Sequence, residues 1–174
     1  MLKREKGLTI IELLITIGII SLLSAILFLG RGKEEEKLAL NRSAIFLSQE
    51  IREVQEAALG STEKDCNGEA THTFGIYLEK QNPFSYYIFA DCNTNKKKDS
   101  SDPILKEVTP EKGVKICSLS SDSLDISFSP PDPTTFINGQ DAWGGVAIIT
   151  LCLESDQLKT KKVKVNSVGM IEIE

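Results

Sequence analysis

Residues 6–29 read KGLTIIELLITIGIISLLSAILFL, and this stretch decides how the rest of the chain is interpreted. From Leu8 to Leu29 it carries a single charge, the carboxylate of Glu12. At about 1.5 Å of rise per residue, a helix of this length reaches across a bilayer core of about 30 Å. A cleaved secretory signal has a shorter apolar stretch, and small residues follow it at the cleavage site. The stretch in this chain is longer, and it does not end in small residues. The sequence therefore predicts a membrane-spanning helix over residues 8–32.

Basic residues precede this apolar stretch. Lys3, Arg4 and Lys6 lie on its N-terminal side, and an excess of positive charge favours the cytoplasmic side of a membrane. We therefore expect a single-pass protein of the inner, cytoplasmic membrane with a cytoplasmic N-terminus and an extracytoplasmic globular domain over residues 33–174. The formal net charge of −5 argues against a protein that coats nucleic acid with its whole surface.

The nine residues 6–14, KGLTIIELL, resemble the prepilin signature of type IV pilins and type II secretion pseudopilins. The resemblance implies that residues 1–7 are a leader peptide, that a membrane-embedded prepilin peptidase cuts between Gly7 and Leu8, and that Leu8 is then N-methylated. The chain departs from the family at Leu8, where Phe is usual, and near Leu29, where the family often has proline.

Glu12 is the acid of this signature, and a carboxylate inside an apolar span is costly unless it is paired. Cleavage would expose a positive amine at Leu8, which Glu12 of a neighbouring subunit can neutralise. Glu12 is therefore the candidate residue for subunit assembly, with a charge tolerated near the membrane surface as the alternative. The resemblance implies as partners other pilin or pseudopilin subunits, the inner-membrane assembly platform, and membrane lipid before assembly.

After Gly30-Arg31-Gly32 the pattern stays helical until about Leu59, and Gly60 is the expected stop. The segment is either the second half of one helix from Leu8 or a separate helix after a hinge at the glycines. We place Arg42, Glu50, Glu53 and Glu56 on its solvent face. Its apolar residues recur three and four apart and predict one buried stripe, made of Leu40, Ala44, Leu47, Ile51, Val54 and Ala58.

From Thr71 the period changes to two, which predicts strands. Residues 74–78 and 84–91 form an expected hairpin, and 129–145, rich in Pro, Asp and Gly, is an expected surface loop. The fold class is α+β, a long N-terminal helix on an antiparallel sheet, and this order resembles H-type minor pseudopilins and FimT-like minor pilins. Further strands are predicted at 114–117, 124–128, 146–153, 162–166 and 170–173.

Four cysteines lie in the part of the chain expected outside the cytoplasm, where disulfides persist. Cys66 precedes the predicted hairpin and Cys92 ends it, so the fold-back brings them to the same end. Cys117 and Cys152 lie on two strands that can be neighbours. We predict Cys66–Cys92 and Cys117–Cys152, with buried free thiols as the alternative for the second pair.

Residues 91–102, DCNTNKKKDSSD, match the oxygen spacing of a calcium-binding loop. The match is imperfect because Lys96 stands where such a loop needs glycine and because three lysines oppose a cation. A solvated turn between strands is the favoured interpretation, and calcium, the sole cofactor considered, is the alternative. Its candidate ligands are Asp91, Asn93, Asn95, Asp99 and Asp102.

A basic cluster near the C-terminus consists of Lys159, Lys161, Lys162 and Lys164. Some FimT-like minor pilins bind DNA through basic C-terminal regions, so DNA is a possible partner implied by the resemblance. The alternation of lysine with valine is instead typical of the solvent face of an edge strand, which we favour.

Catalytic residues are not predicted, because the sole histidine, His72, has no cysteine or serine motif near it.

The expected function is that of a structural subunit, a minor pilin or pseudopilin, in a type IV pilus or a type II secretion-like filament. The alternatives are a filament-tip adhesin or a DNA-binding minor pilin for DNA uptake, and a membrane-anchored enzyme or sensor domain whose helix is not cleaved.

Overall fold

The computed structural model describes residues 9–29, 31–60, 62–66, 68–130, 134–141 and 145–174. The chain divides into two compact units, Met1–Glu36 and Lys37–Glu174. Gly30, the central residue in the choice between one helix and two, lies outside the described residues.

The first unit contains helix α1 (Ile10–Leu29), whose sequence is almost wholly apolar. Its large side chains are exposed around the helix, with Ile10 81% and Leu22 68% accessible. Within the described residues, no helix meets the length and hydropathy that crossing a membrane requires, and the membrane-spanning helix predicted for 8–32 is not found there.

Helix α2 (Arg31–Leu59) supplies the helical part of the second unit from Lys37 onward. It ends where predicted, with the Gly60 amide donating to the Glu56 carbonyl at 2.7 Å. The six residues of the predicted apolar stripe are all buried in the core. The 3.6-residue period therefore identified the helix face that packs against the sheets.

In the described part of the chain, twelve strands form two larger antiparallel sheets and one small hairpin. The six-stranded sheet has the order β5-β4-β3-β7-β8-β9, the four-stranded sheet β12-β11-β10-β6, and β1 pairs with β2. The strands are β1 (Lys64–Cys66), β2 (Glu69–Thr71), β3 (Phe74–Glu79), β4 (Tyr86–Ala90), β5 (Ile104–Val108), β6 (Val114–Leu119), β7 (Ser123–Ser129), β8 (Thr134–Ile137), β9 (Gln140–Asp141), β10 (Val146–Leu153), β11 (Thr160–Asn166) and β12 (Ile171–Ile173).

One hydrophobic core joins the stripe of α2 to the inner faces of both larger sheets. Along β7, Leu124, Ile126 and Phe128 enter this core, while Asp125 and Ser127 lie on the opposite, outer face. The α+β class and the hairpin of β3 with β4 are confirmed, with Phe74 opposite Ala90.

Several local predictions were wrong. β8 and β9 occupy part of the 129–145 segment predicted as a loop, and β1, β2 and β5 were not predicted. Strand β11 was expected at a sheet edge, but it pairs with both β10 and β12. Short strands and strands without strict alternation give a weak periodic signal, which explains why they were missed.

Glu50 was placed on the solvent face of α2, but it is buried, with 2% of its surface exposed. The Lys106 ammonium of β5 donates to its Oε1 atom at 2.6 Å. Its Oε2 atom is also buried and has no hydrogen-bond partner among the described residues. The buried carboxylate of Glu50 is tolerated because Lys106, from a strand that was not predicted, supplies a charged hydrogen-bond donor.

Candidate functional site

The acid of the prepilin-like signature lies in the first turn of α1. Thr9 precedes the helix, and its amide and hydroxyl donate to the Glu12 carboxylate at 3.1 and 3.0 Å. The Glu12 amide in turn donates to the Thr9 hydroxyl at 3.3 Å. These reciprocal bonds form a capping box, which satisfies amides that the helix itself leaves without a partner. The capping role of Thr9 was not predicted, although threonine followed three residues later by glutamate is the sequence signal of a capping box.

Gly7 and Leu8, the predicted cleavage and methylation residues, lie outside the described residues. Cleavage between them and methylation of Leu8 stay predictions.

Both predicted disulfides are present. Cys66 pairs with Cys92 across a Cα–Cα distance of 5.6 Å, and Cys117 pairs with Cys152 across 5.8 Å. The first joins the β1–β2 hairpin to the chain that follows β4, and the second joins β6 to β10 within one sheet. The alternative of buried free thiols at 117 and 152 is therefore wrong.

The five candidate calcium ligands lie in one compact loop, but they mainly bond one another and the loop backbone. Asp91 accepts the amides of Asn95 and Lys96 at 3.2 and 2.8 Å. Asp99 accepts the side-chain amides of Asn93 and Asn95 at 2.6 and 2.7 Å. The carboxylates thus receive N–H donors where a cation would need free oxygens. In the described part of the chain, no group of three or more His, Cys, Asp or Glu residues is placed to hold a metal ion.

This loop is less solvated than the favoured interpretation supposed. Asp91 is fully buried, and burial raises the pKa of its carboxyl, while the Lys96 amide and ammonium oppose that rise. The Asp102 carboxylate accepts the amides of Cys92 and Asp99, both at 2.9 Å, and so ties the two ends of the loop together. Neighbouring carboxylates and backbone amides therefore define the loop conformation.

The four C-terminal lysines do not form a single patch. Alternation along β11 places Lys161 on the side of Val163, which faces the core, and Lys162 and Lys164 on the other side. Lys164 is ion-paired with Glu174 at 2.5 Å. Lys159 lies before the strand and approaches Asp156 at 3.6 Å. This division weakens the case for a DNA-binding surface, which needs cations along one groove or face.

A groove that was not predicted from the sequence lies in the second unit, between α2 and the segment 109–111. Its volume is about 460 Å³, and its apolar lining includes Ile45, Phe46, Tyr86, Pro110 and Leu151. Burial, and to a smaller extent the charge of Glu50, raise the pKa of Tyr86. At the rim, the Arg42 guanidinium donates twice to the Glu111 carboxylate, each time at 2.7 Å.

Comparison with known proteins covers both parts of the chain. The family model of the prokaryotic N-terminal methylation motif matches residues 2–28. The fold is similar to that of the type IV minor pilin FimU from Pseudomonas aeruginosa strain PAO1, in its crystal structure, with a TM-score of 0.51 and 11% sequence identity. That similarity covers 78% of this chain and 87% of FimU. No curated protein matches the sequence. The chain therefore combines a prokaryotic N-terminal methylation motif with a fold similar to that of a type IV minor pilin.

Proposed function

We propose that the chain is a structural subunit of an extracytoplasmic filament, either a type IV pilus or a type II secretion-like filament. A prepilin peptidase removes residues 1–7, Leu8 is N-methylated, and an inner-membrane platform assembles the mature chain with other pilin-like subunits. The observation that carries this proposal is the chemistry of α1: within the matched methylation motif, one acid, Glu12, interrupts a helix that exposes apolar side chains in every direction.

The exposed apolar surface of α1 supports assembly. Burying such surface is worth about 25 cal/mol for each Å² removed from water. Side chains such as Ile10, Ile11 and Leu22 are each more than 60% exposed, so the helix gains stability wherever lipid or other subunits cover it. Lipid serves this purpose before assembly, and the helices of neighbouring subunits serve it in the filament.

The two disulfides support an extracytoplasmic position for the second unit. Disulfides form and persist outside the reducing cytoplasm. With the globular unit outside, the leader residues Lys3, Arg4 and Lys6 stand on the cytoplasmic side, which agrees with the distribution of positive charge in membrane proteins.

Processing is tested by N-terminal sequencing of the membrane-extracted protein from cells that contain the peptidase. The mature chain is expected to begin at Leu8. Gly7→Ala is expected to be partly tolerated because alanine is the next smallest side chain, and Gly7→Leu is expected to block cleavage. A mature chain that begins at Met1 would refute the proposal.

Glu12 has two separable roles, since its carboxylate caps its own helix and is proposed to neutralise the Leu8 amine of a neighbour. Glu12→Gln keeps a capping acceptor but removes the charge, because glutamine serves in a capping box as glutamate does. Thr9→Ala removes the capping partner and keeps the charge. We expect Glu12→Gln to be cleaved normally but to enter filaments poorly, and Thr9→Ala to assemble.

The measurement is the amount of each variant in sheared filament fractions, relative to its amount in the membrane. Wild-type incorporation of Glu12→Gln would show that charge pairing is not what Glu12 contributes. Equal loss of assembly in Thr9→Ala would assign the effect to helix capping instead.

A further inference from the structure

The loop formed by residues 91–102 lies across the outer face of the six-stranded sheet. Its backbone is bonded to β7, where the Lys98 amide donates to the Asp125 carboxylate at 2.8 Å. The Ser127 hydroxyl donates to the Lys96 carbonyl at 3.1 Å. The loop therefore docks on a sheet face through specific bonds, although it only connects β4 to β5 in sequence.

The Lys96 side chain is the main anchor of this docking. Its ammonium donates to the hydroxyls of Thr73 and Ser129, each at 3.1 Å, and lies 5.4 Å from the ring centroid of Phe136. These residues precede β3, end β7 and belong to β8, so one side chain joins three neighbouring parts of the sheet. Burial lowers the pKa of Lys96, and the negative charge of Asp91 partly opposes this shift.

Two residues of the loop adopt a backbone conformation that costs free energy. Thr94 has φ of 59° and Lys96 has φ of 65°, the left-handed region that residues with a side chain rarely occupy. Threonine is disfavoured there because its side chain branches at Cβ. Such conformations persist only where surrounding contacts enforce them. The docked loop is therefore held in place against a local preference to relax.

The first residues of the loop are fixed by the sheet and by a disulfide. The Asp91 amide donates to the Thr73 carbonyl at 2.9 Å, and the Asp91 carbonyl accepts the Thr71 hydroxyl at 2.6 Å. The next residue, Cys92, is bonded to Cys66 in β1. The disulfide thus holds the loop at the point where it leaves the sheet, four residues before the half-buried Lys96.

We propose that the 91–102 loop is a redox-gated strap, which docks on the outer sheet face when Cys66 and Cys92 are joined and is released when they are not. Closing the bond removes two protons and two electrons from the two thiols, and these pass to an external disulfide that is reduced to two thiols. The closed bond fixes Cys92, the second residue of the loop, to β1, and so lowers the entropy lost on ordering the loop and helps to offset the strain at Thr94 and Lys96. The strap therefore docks only after the chain reaches an oxidising compartment.

Hydrogen exchange measured by mass spectrometry on the full chain in mild detergent tests this proposal. The segment to follow is 91–102, with β3 and β7 as internal references. We expect Cys66→Ser with Cys92→Ser to accelerate exchange in the strap by about tenfold or more and to leave the reference strands protected. The matched control is Cys117→Ser with Cys152→Ser, which removes the other disulfide and is expected to leave the strap unchanged.

Lys96→Met is expected to accelerate exchange in the strap with the disulfide intact, while Lys97→Met, at the exposed neighbouring position, is expected not to.

Reducing the wild-type chain with a phosphine is the second measurement and needs no variant to fold. It is expected to accelerate exchange in the strap before exchange in β3 and β7. An unchanged strap after loss of the Cys66–Cys92 bond would overturn the proposal. Equal acceleration in the strap and the reference strands would also overturn it, because the effect would then be global.

Discussion

Lys106→Met tests the buried ion pair between β5 and α2. Glu50 is 2% exposed, and its Oε1 atom accepts from the Lys106 ammonium at 2.6 Å. Removing the lysine leaves a buried carboxylate without a counter-charge, which typically costs about 3–5 kcal/mol. The side chain of Lys106 is 49% exposed, so water already screens part of the pair, and the cost falls at or below the lower end of this range.

We therefore expect Lys106→Met to lower the free energy of unfolding by about 2–3 kcal/mol at pH 7. The assay is urea unfolding of the full chain in mild detergent at pH 7, followed by circular dichroism.

The control is the double variant Glu50→Leu with Lys106→Met, which removes both charges. Replacing a whole buried ion pair with apolar residues is often neutral, so the double variant is expected to be more stable than Lys106→Met. A double variant that is no more stable than Lys106→Met would refute the reasoning, since the loss would then not come from a buried carboxylate left without its counter-charge.

Two further predictions concern packing and pH. In Gly75→Ala, the added Cβ would lie 2.6 Å from the fully buried Phe89 ring. The free energy of unfolding in urea is therefore expected to fall by about 1–3 kcal/mol. The control is Gly18→Ala, because a Cβ added there meets nothing within 4 Å. The Arg42 guanidinium lowers the pKa of Glu111, so the pair stabilises the fold above the ordinary glutamate value of 4.5 and ceases to do so as pH falls through the lowered pKa. The melting temperatures of wild type and Arg42→Gln are therefore expected to converge as the pH is lowered from 7 to 3, and a constant difference would contradict this.

The parts of the fold in which apolar residues recur with one clear period could be predicted from the sequence. The buried stripe of α2 and the β3–β4 hairpin are examples, because one face of each element meets the core. The hairpin geometry also led to the correct Cys66–Cys92 pairing. These predictions depend on neighbours in sequence or on one fold-back of the chain.

Features that depend on distant segments could not be predicted in this way. Glu50 has the helical position of a surface residue, and only its contact with Lys106, 56 residues later, explains why it is buried. Lys96 was counted among three solvated lysines, but its left-handed backbone turns its side chain onto the sheet. Neither contact leaves a periodic signal, because each joins a single side chain to a partner that is remote in sequence.

The two disulfides also set how far the chain can be stretched. A pulling force on a filament subunit would reach the second unit along its backbone. The Cys66–Cys92 bond bypasses a loop of 26 residues, and the Cys117–Cys152 bond bypasses 35 residues. At about 3.5 Å per extended residue, the bonds keep about 90 Å and about 120 Å of contour length out of reach of the force. A subunit that yields under tension would therefore lengthen in limited steps, because most of the six-stranded sheet (β3, β4, β7, β8 and β9) lies inside loops that the disulfides shield from the force.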